Sequence, residues 1–251
     1  MSQGKPKKIG EPTPYGNAPD PTLEQLVERM DLSGTTSPEL AVNVLREAII
    51  TGVLRAGTSL KQDHIAEKLG VSKIPVREAM RELEGLGLVE AVRNRGFVVS
   101  RTSLDEMYES FKLRRMLELF AVRESVPKAT DSDHAAVDAI IDACEQITDV
   151  RVSSSWNLRL HLALYAPAGM MHLEKMIRRA HTISHRYTHI YMRMTHQTVD
   201  SQDEHRAILH AFRQRDVELA VTLMDSHISV AANQYSGFLS NHLASDGAVR
   251  I

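Results

Sequence analysis

The segment "VSKIPVREAMRELEGLGLVEAVRNRGFVV", residues 71–99, constrains the fold more than any other, because its hydrophobic period changes from helical to alternating within a few residues. Val76, Met80 and Leu83 recur at helical spacing after Ser72, a residue type favoured at helix N-caps. After "GLG", apolar and polar residues alternate on both sides of "NRG", which is typical of a β-hairpin. The segment therefore predicts a short helix followed directly by a two-stranded hairpin.

Two more helices are predicted before this segment. The first runs through "AVNVLREAIITGVL" after Thr36 and Glu39, which have the spacing of a capping box. The second covers "QDHIAEKLG" and ends at Gly70. Because only "GVS" separates it from the next helix, these two helices form a helix-turn-helix, and the hairpin forms a wing beside it.

Basic residues at the start of the third helix and at the hairpin tip are candidates for DNA contacts. Lys73 and Arg77 are four residues apart and share the face opposite the core residues. A positive first turn is what a helix that reads the major groove presents to bases and phosphates. Arg93 and Arg95 would add charge beside the duplex. The alternative is a small packed α/β module with incidental surface charges.

Together with the preceding "VLREAIITGVLRAGTSLK", this segment resembles the winged helix-turn-helix domain of the GntR family of bacterial transcription regulators. In that family, basic residues of the recognition helix and a glycine at the wing tip contact operator DNA. The resemblance implies this role for Lys73, Arg77 and Gly96, with Ser72 at the helix start. Lys73 stands where arginine is usual, and Asp63 stands where many relatives have arginine. Both departures are expected to weaken contacts with guanine or phosphate.

From Ser103 onward one helical pattern follows another without a strand pattern, which predicts an antiparallel all-α bundle and a mainly α chain. The first pattern, "SLDEMYESFKLRRMLELFAVRES", places Arg114 and Glu118 on its apolar stripe. A buried charged pair there has two interpretations. It is either an internal salt bridge that joins two helices, or an arginine that faces a cavity and captures a carboxylate effector through bidentate hydrogen bonds, with Glu118 beside it.

Three histidines, His161, His205 and His227, fall on the apolar faces of three different predicted helices. A single histidine in such a position is usually a core residue with a hydrogen-bond partner. Three imidazoles that converge from separate helices can instead hold a metal ion. Spacing alone leaves both interpretations open.

A histidine ladder, His181, His185 and His189, lies along one face of another predicted helix. It could line a pocket or add a metal ligand, whereas a polar stripe at a subunit surface is the simpler interpretation. Arg186 and Tyr187 on the same helix are plausible hydrogen-bond donors to a ligand, and we take His185 and Arg186 as candidate effector contacts.

The helical block is similar to the FCD domain, the all-helical ligand-binding domain of FadR-type GntR regulators. The matching motifs are "R..LE" at Arg114–Glu118, "D...H" at Asn157–His161, "EH..IL.A" from Glu204–His205 and "M..HI" within Met224–Ile228. In that domain an aspartate and three histidines hold a divalent metal beneath the effector pocket, and a carboxylate effector often contacts the metal and the arginine. The resemblance therefore implies that His161, His205 and His227 are metal ligands.

The fourth ligand position departs from the FCD pattern, because Asn157 replaces the usual aspartate. An amide oxygen lacks the negative charge and the bidentate option of a carboxylate, so the ligand set is formally neutral. Such a set should hold the ion less tightly and prefer Zn²⁺ or Ni²⁺ over Mn²⁺ or Ca²⁺. A carboxylate effector could supply the missing anion, so that metal and effector would each raise the affinity for the other.

Composition limits the setting in which the chain works. Its formal net charge of −2 gives no reason to expect bulk attraction to a polyanion, and the single cysteine, Cys144, excludes an intrachain disulfide. No window approaches eighteen apolar residues, and the opening residues lack the apolar core of a secretory signal. We therefore expect a cytoplasmic protein without membrane contacts. Its predicted parts are a disordered arm (1–35), a DNA-binding domain (36–101), an effector-binding and dimerisation domain (102–240) and a tail (241–251).

These features predict a homodimeric transcriptional regulator, a repressor rather than an activator, that binds a palindromic operator and responds to a small organic acid, with a divalent metal in its helical domain. Two alternatives remain. Three histidines with an open coordination position also describe a hydrolytic enzyme, with Glu204 or Glu118 as the general base. The helical domain could instead be a dimerisation scaffold without a ligand.

Overall fold

The structure, a computed structural model, describes residues 22–30, 32, 34–145, 150–195 and 201–246. Over these residues the chain is mostly helical and has two separate hydrophobic cores. One core belongs to a winged helix-turn-helix at the N-terminal side, and the other to an all-α bundle. The predicted fold class is confirmed.

The winged helix-turn-helix contains four helices and a three-stranded antiparallel sheet. Its elements are α1 (Leu23–Arg29), α2 (Ser37–Ile50), β1 (Ser59–Leu60), α3 (Gln62–Leu69), α4 (Lys73–Gly85), β2 (Val89–Val92) and β3 (Gly96–Val99). The backbone N–H of Thr36 donates to the Glu39 carboxylate (2.8 Å) at the start of α2, as a capping box requires. Gly70 ends α3 in the left-handed conformation, with φ of +64°.

The wing forms as predicted, and a third strand completes it. Pairing between β2 and β3 runs from Val89 opposite Val99 to Val92 opposite Gly96. The strand β1 pairs with the other edge of β3, so that β3 lies in the centre of the sheet. The sequence did not predict β1, because a strand of two residues is too short for an alternating pattern.

Helix α1 adds an element at the N-terminal side of the winged helix. Its side chains Leu23 and Leu26 are buried in the same core as α2 and α3, and Glu24 forms an ion pair with Lys68 of α3. Residues 1–21 of the predicted arm, and residues 247–251 of the predicted tail, lie outside the described residues.

The helical bundle is built around its first helix. Its elements are α5 (Leu104–Ser125), α6 (Asp131–Glu145), α7 (Val150–Tyr165), α8 (Met171–Thr195), α9 (Gln202–Arg213) and α10 (Val217–Asp246). The helix α5 packs against α7, α8 and α10, which is why its apolar stripe is buried. No helix in the described part of the chain is long and apolar enough to cross a membrane.

Substitution of two glycines of the winged helix by alanine is expected to change the free energy of unfolding in opposite directions, although neither new methyl group would clash. A Cβ at Gly70 or Gly85 has no heavy atom within 4 Å. Gly70→Ala should lower the free energy of unfolding by about 1–2 kcal/mol, because alanine disfavours the positive φ of the α3 cap. Gly85→Ala, at the end of α4, should raise it by about 0.5 kcal/mol, because alanine loses less backbone entropy in a helix. Urea unfolding of both variants checks the pair, and equal effects would contradict the assigned backbone conformations.

Candidate functional site

The N-terminal half of α4 carries the basic residues that were predicted to contact DNA. Lys73 and Arg77 are exposed, whereas Val76 and Met80 on the other side of the helix are fully buried. The Lys73 ammonium lies 2.8 Å from the Asp63 carboxylate of α3, and both side chains are largely exposed. Asp63 therefore acts as a local counter-charge on the α4 surface.

The wing tip presents the other predicted DNA contacts. Arg93 and Arg95 are exposed on the turn between β2 and β3, and Ser72 is exposed at the N-cap position of α4. Gly96 has a φ of +73°, and Asn94 a φ of +65°, so the turn uses two left-handed residues. A backbone without a Cβ at Gly96 allows close approach of a partner.

In the bundle, the three predicted metal-ligating histidines converge from three helices. His161 comes from α7, His205 from α9 and His227 from α10, and one ring nitrogen from each lies within 4.8 Å of the others. All three side chains are buried. Sequence-distant imidazoles thus surround one point, as a metal site requires.

Two carboxylates decide which ring nitrogen of these histidines is available. His161 Nδ1 lies 2.6 Å from Glu118 Oε2, and His227 Nδ1 lies 2.6 Å from Glu204 Oε2. An ionised carboxylate only accepts hydrogen bonds, so each Nδ1 carries the proton and each Nε2 keeps its lone pair. Carboxylate–histidine pairs of this kind commonly orient metal ligands.

The remaining ring nitrogens fit the same role. Within the described residues, His161 Nε2 and His205 Nδ1 are buried and have no hydrogen-bond partner. Burial lowers the pKa of His161 to about 3, and burial also holds the pKa of His205 well below its usual range. Both imidazoles are therefore neutral at physiological pH, which is the form that binds metal. The donor set fits a divalent ion that prefers nitrogen ligands.

Asn157 lies beside this histidine cluster. Its side-chain amide nitrogen is 3.3 Å from His205 Nε2, and the residue lines the adjoining cavity. Rotation of the amide by half a turn would present its oxygen in place of its nitrogen. The structure thus brings Asn157, the residue predicted as a fourth ligand, next to His205.

Glu118 is completely buried behind His161 and accepts hydrogen bonds from three side chains. Arg114 Nε donates to Oε1 (2.6 Å), and Oε2 accepts from His161 Nδ1 and from the Tyr165 hydroxyl (2.7 Å). Burial would raise the pKa of Glu118, but Arg114 and the neighbouring histidines outweigh it and keep the pKa well below the usual range. Glu118 therefore stays ionised, and it does not line the cavity as an effector contact.

Arg114 has features of both sequence-based interpretations, the internal salt bridge and the arginine that faces a cavity. Its ion pair with Glu118 lies within α5 rather than between two helices, and its Nη1 also donates to Ser184 Oγ of α8 (3.2 Å). At the same time Arg114 lines the cavity. The guanidinium is thus partly neutralised by Glu118 yet still faces the space where an effector would lie.

The cavity encloses about 70 Å³ between the histidine cluster and α8. The polar residues that line it are Arg114, Asn157, His181, Ser184, His185, Thr188, Ser201, Gln202, His205, His227 and Tyr235. Burial lowers the pKa of His181 to about 4 and holds the pKa of His185 well below its usual range, so both present neutral imidazoles. The cavity thus offers many hydrogen-bonding groups and little charge.

Two sequence-based expectations about α8 are corrected. The histidine ladder does not form a polar stripe at the surface, because His181 and His189 are buried inside the bundle. Arg186 was predicted to contact an effector, but it does not line the cavity and instead bonds to the backbone of Ser100. Successive helical residues are rotated by about 100°, so a residue next to His185 points to a different neighbour.

A second group of potential ligands, Glu118, His161 and His181, shares His161 with the first. Arg114 already neutralises the Glu118 carboxylate at 2.6 Å, and a cation placed there would be repelled by the guanidinium. The two candidate general bases of the enzyme interpretation, Glu118 and Glu204, are both bonded to histidine Nδ1 atoms. This geometry favours a binding site over a hydrolytic one.

Sequence reasoning missed Tyr165, Ser184 and Thr188. Tyr165 follows His161 by four residues and so shares its helix face, which could have signalled a joint role. Ser184 and Thr188 share the face of the histidine ladder by the same rule. These hydroxyl-bearing residues carry no motif of their own, and only the packing of α7 and α8 against α5 shows what Tyr165 and Ser184 contact.

A winged helix-turn-helix with exposed basic residues, joined to an all-α bundle, is typical of a DNA-binding transcriptional regulator. Comparison with known families agrees. The profile of bacterial regulatory proteins of the gntR family matches residues 39–99, and that of the FCD domain matches residues 109–230. The chain belongs to the GntR family of bacterial regulators and carries an FCD domain.

Relatives in this family are named as transcription regulators. The HTH-type transcriptional repressor GlaR of Escherichia coli K12 is 27% identical over 73% of this chain and 89% of its own length. A solved GntR family member from Pseudomonas syringae is 30% identical over 84% of this chain and 89% of its own, with a TM-score of 0.53. E. coli McbR has the same fold, with a TM-score of 0.67 at 24% identity over 80% of this chain and 99% of its own.

The buried histidines should make the bundle sensitive to mild acid. The folded-state pKa is lowered from 6.5 to about 3 for His161 and to about 4 for His181 and His189. Below pH 6.5 the unfolded chain therefore binds protons that the folded chain excludes. The free energy of unfolding should fall by about 1.4 kcal/mol per pH unit for each such histidine as the pH drops from 6.5 towards 4.

Urea unfolding at pH 7.5, 6.5 and 5.5 measures this slope. His181→Gln should reduce the slope, whereas the matched His172→Gln, at an exposed position near the start of α8, should leave it unchanged. Equal stability at the three pH values would mean that the imidazoles are not buried in the neutral form.

Proposed function

We propose that this regulator represses transcription as a homodimer bound to a palindromic operator, and that a small carboxylate-bearing metabolite, together with a divalent ion, controls its affinity for DNA. The observation that carries the proposal is the three-histidine cluster with carboxylate-oriented rings beside the Arg114 cavity, in a chain that also presents a basic recognition helix. The ligand site and the DNA-reading elements belong to one polypeptide. Ligand binding in the bundle can therefore shift the arrangement of the DNA-reading elements.

Repression is supported by the names of relatives and not by geometry. GlaR is called a repressor, and a relative from Paenarthrobacter nicotinovorans, 26% identical, is called a probable repressor of a D-xylose utilization operon. Recognition would use Lys73 and Arg77 of α4 in the major groove, with Arg93 and Arg95 beside the backbone. Such regulators work in the cytoplasm, where their operator is.

An exposed apolar stripe on α5 supports the homodimer. Tyr108, Met116 and Phe120 follow one another at intervals of eight and four residues, with Leu113 beside them, and Met116 is 72% exposed. Exposed apolar groups of this size are unusual on a monomer surface unless they are covered by a partner. A second copy of the chain across a two-fold axis would cover the stripe and place two winged helices on one palindrome.

The metal would be held by His161, His205 and His227, with the amide of Asn157 as a weak fourth ligand. A ligand set of imidazoles favours Zn²⁺ or Ni²⁺. When bound, the ion supplies a positive charge that attracts a carboxylate. Glu118 and Glu204 hold the rings of His161 and His227 in the tautomer that keeps Nε2 unprotonated.

The charges around the cavity support a carboxylate effector whose binding depends on the metal. Among the described residues that line the cavity, Arg114 carries the permanent positive charge, and Glu118 already offsets much of it. The neighbouring His181 and His185 are neutral. A carboxylate would therefore gain most of its electrostatic stabilisation from the ion, and metal and effector would each raise the affinity for the other by the same factor.

The role of the Glu204 carboxylate, which bonds to His227, can be tested by substitution. The Glu204 side chain is 45% exposed, so its replacement should not disturb folding. Glu204→Gln keeps the size but loses the charge that holds the Nδ1 proton. It should weaken Zn²⁺ binding by about 10-fold or more, as measured by titration calorimetry. Asp203→Asn removes the neighbouring exposed carboxylate and should leave the affinity unchanged. If Glu204→Gln binds Zn²⁺ as tightly as the wild type, Glu204 does not orient His227 as a metal ligand, and a wild-type protein that binds no Zn²⁺ would contradict the metal site itself.

DNA recognition by α4 is tested with operator fragments selected from random duplexes by the wild-type protein. Arg77→Ala should weaken specific binding by about 1–3 kcal/mol, because it removes a contact in the major groove. The control is Arg178→Ala, which removes an exposed arginine of α8 that pairs with Glu174. Fluorescence anisotropy at two salt concentrations measures both. Unchanged affinity in Arg77→Ala would exclude α4 as the recognition helix.

A further inference from the structure

The helix α8 has two sets of side chains with different neighbours. His181, Ser184, His185 and Thr188 line the cavity. Arg186 and Tyr187, which lie between them in sequence, are also buried but face the junction of the winged helix with the bundle. One rigid helix therefore contacts both the sensor cavity and the connection to the DNA-binding domain.

Arg186 bonds to the end of the wing. Its Nη2 donates to the backbone carbonyl of Ser100 (2.5 Å), the residue that follows β3. The backbone N–H of Ser100 donates in turn to the carbonyl of Leu88, within the winged helix. The same peptide segment is thus hydrogen-bonded to the DNA-binding domain on one side and to α8 on the other.

Tyr187 bonds to the beginning of the bundle. Its hydroxyl accepts a hydrogen bond from the backbone N–H of Ser103 (3.1 Å) and donates one to the carboxylate of Glu106. Ser103 is the N-cap of α5, where its side chain accepts from the backbone N–H of Glu106. Arg186 and Tyr187 are therefore hydrogen-bonded to the two ends of the four-residue connection from Ser100 to Ser103.

The C-terminal part of α8 reaches the winged helix itself. His189 and Ile190 line a narrow cleft together with Ile49 and Ile50 at the end of α2. The rings of His185 and His189 are 4.8 Å apart, so a cavity residue touches a cleft residue directly. Packing at this cleft and hydrogen bonds at the connection act on the same side of the winged helix.

We propose that α8 is the element that transmits effector occupancy to the DNA-binding domain, with Arg186 and Tyr187 as the clamp on the Ser100–Ser103 connection. The inference rests on the proposed function, because it takes the cavity as the effector site. It adds how that site would regulate DNA binding, because it names the helix and the two side chains that connect the cavity to the DNA-binding domain. Neither residue touches the cavity, so the clamp can be broken without altering what the cavity binds.

The lining of the cavity explains why α8 responds. The helix α8 contributes more lining residues than any other helix. An ion or ligand that contacts them acts on the same helix that bonds to Ser100 and Ser103. Helices in packed interfaces shift by about 1–2 Å as rigid bodies in such transitions. A shift of that size exceeds the tolerance of the hydrogen bonds to Ser100 and Ser103.

The test compares Tyr187→Phe with Tyr191→Phe, the same substitution one turn further along α8. The Tyr191 hydroxyl accepts a hydrogen bond from Gln234 of α10 (2.6 Å) and so serves as a control for loss of a buried hydroxyl. Glu106→Ala is a second clamp variant, at a half-buried position on α5, in case Tyr187→Phe folds poorly. The probes are Zn²⁺ alone and Zn²⁺ with acetate.

Three quantities are measured for each protein: Zn²⁺ affinity, the change in amide hydrogen exchange of residues 100–106 on Zn²⁺ addition, and the change in operator affinity with Zn²⁺ and acetate. We expect all variants to bind Zn²⁺. The clamp variants should lose the exchange response and reduce the operator response by at least about 5-fold, the lower end of typical allosteric coupling. Tyr191→Phe should respond like the wild type.

Three outcomes would overturn the inference while leaving the proposed function in place. The clamp variants could respond like the wild type, Tyr191→Phe could lose the response to the same extent, or Zn²⁺ could bind the wild type without changing exchange at residues 100–106. A wild-type protein that takes up no Zn²⁺ would overturn the proposed metal site itself, and the inference with it.

Discussion

The Glu118 carboxylate is buried without access to water, and much of the helical domain is arranged so that its charge is satisfied. An isolated carboxylate in such a place would cost several kcal/mol, and removal of one partner from a buried pair costs about 3–5 kcal/mol. Arg114, His161 and Tyr165 supply the three hydrogen bonds, and Arg114 in turn bonds to Ser184. One anion therefore fixes the relative positions of α5, α7 and α8. The orientation of His161 towards the other two histidines is a by-product of that same requirement.

This arrangement separates the hydrogen bonds that stabilise the bundle from the proposed metal site. The hydrogen bonds of Glu118 lie on the far side of His161 from His205 and His227, so an ion exchanged at the three histidines would not disturb them. Arg114 stands at the boundary, because it contributes to the buried ion pair and also faces the cavity.

The sequence predicted the fold class and most helices and strands, whereas it predicted the site only in part. The helical period of α4 and the alternation of the wing are local signals, and both are confirmed. His161, His205 and His227 were found because each lies on an apolar face, and the structure brings them together. Their function as metal ligands stays a prediction.

Other roles depended on long-range packing. Arg186 was expected at the effector, but its bond to Ser100 spans 86 residues of sequence and left no local pattern. Glu118 was expected to contact the effector, and nothing in the spacing of α5 indicated that it would instead bond to His161 and Tyr165 of α7. Local periodicity predicts whether a segment is a helix or a strand. It does not predict which distant residue each helix face contacts, because the sequence separation of such contacts follows no fixed spacing.

The ion pair between Lys73 and Asp63 has a consequence for how the regulator searches a genome. A free lysine on a recognition helix attracts any phosphate it meets, and the counterions released on contact pull the protein onto DNA of every sequence. If Lys73 contacts DNA as proposed, each phosphate contact would replace Asp63 by a phosphate and would release fewer counterions than a free lysine does. Asp63 would thereby lower the affinity of α4 for phosphates regardless of sequence, and the molecule would spend less time on DNA that lacks its operator.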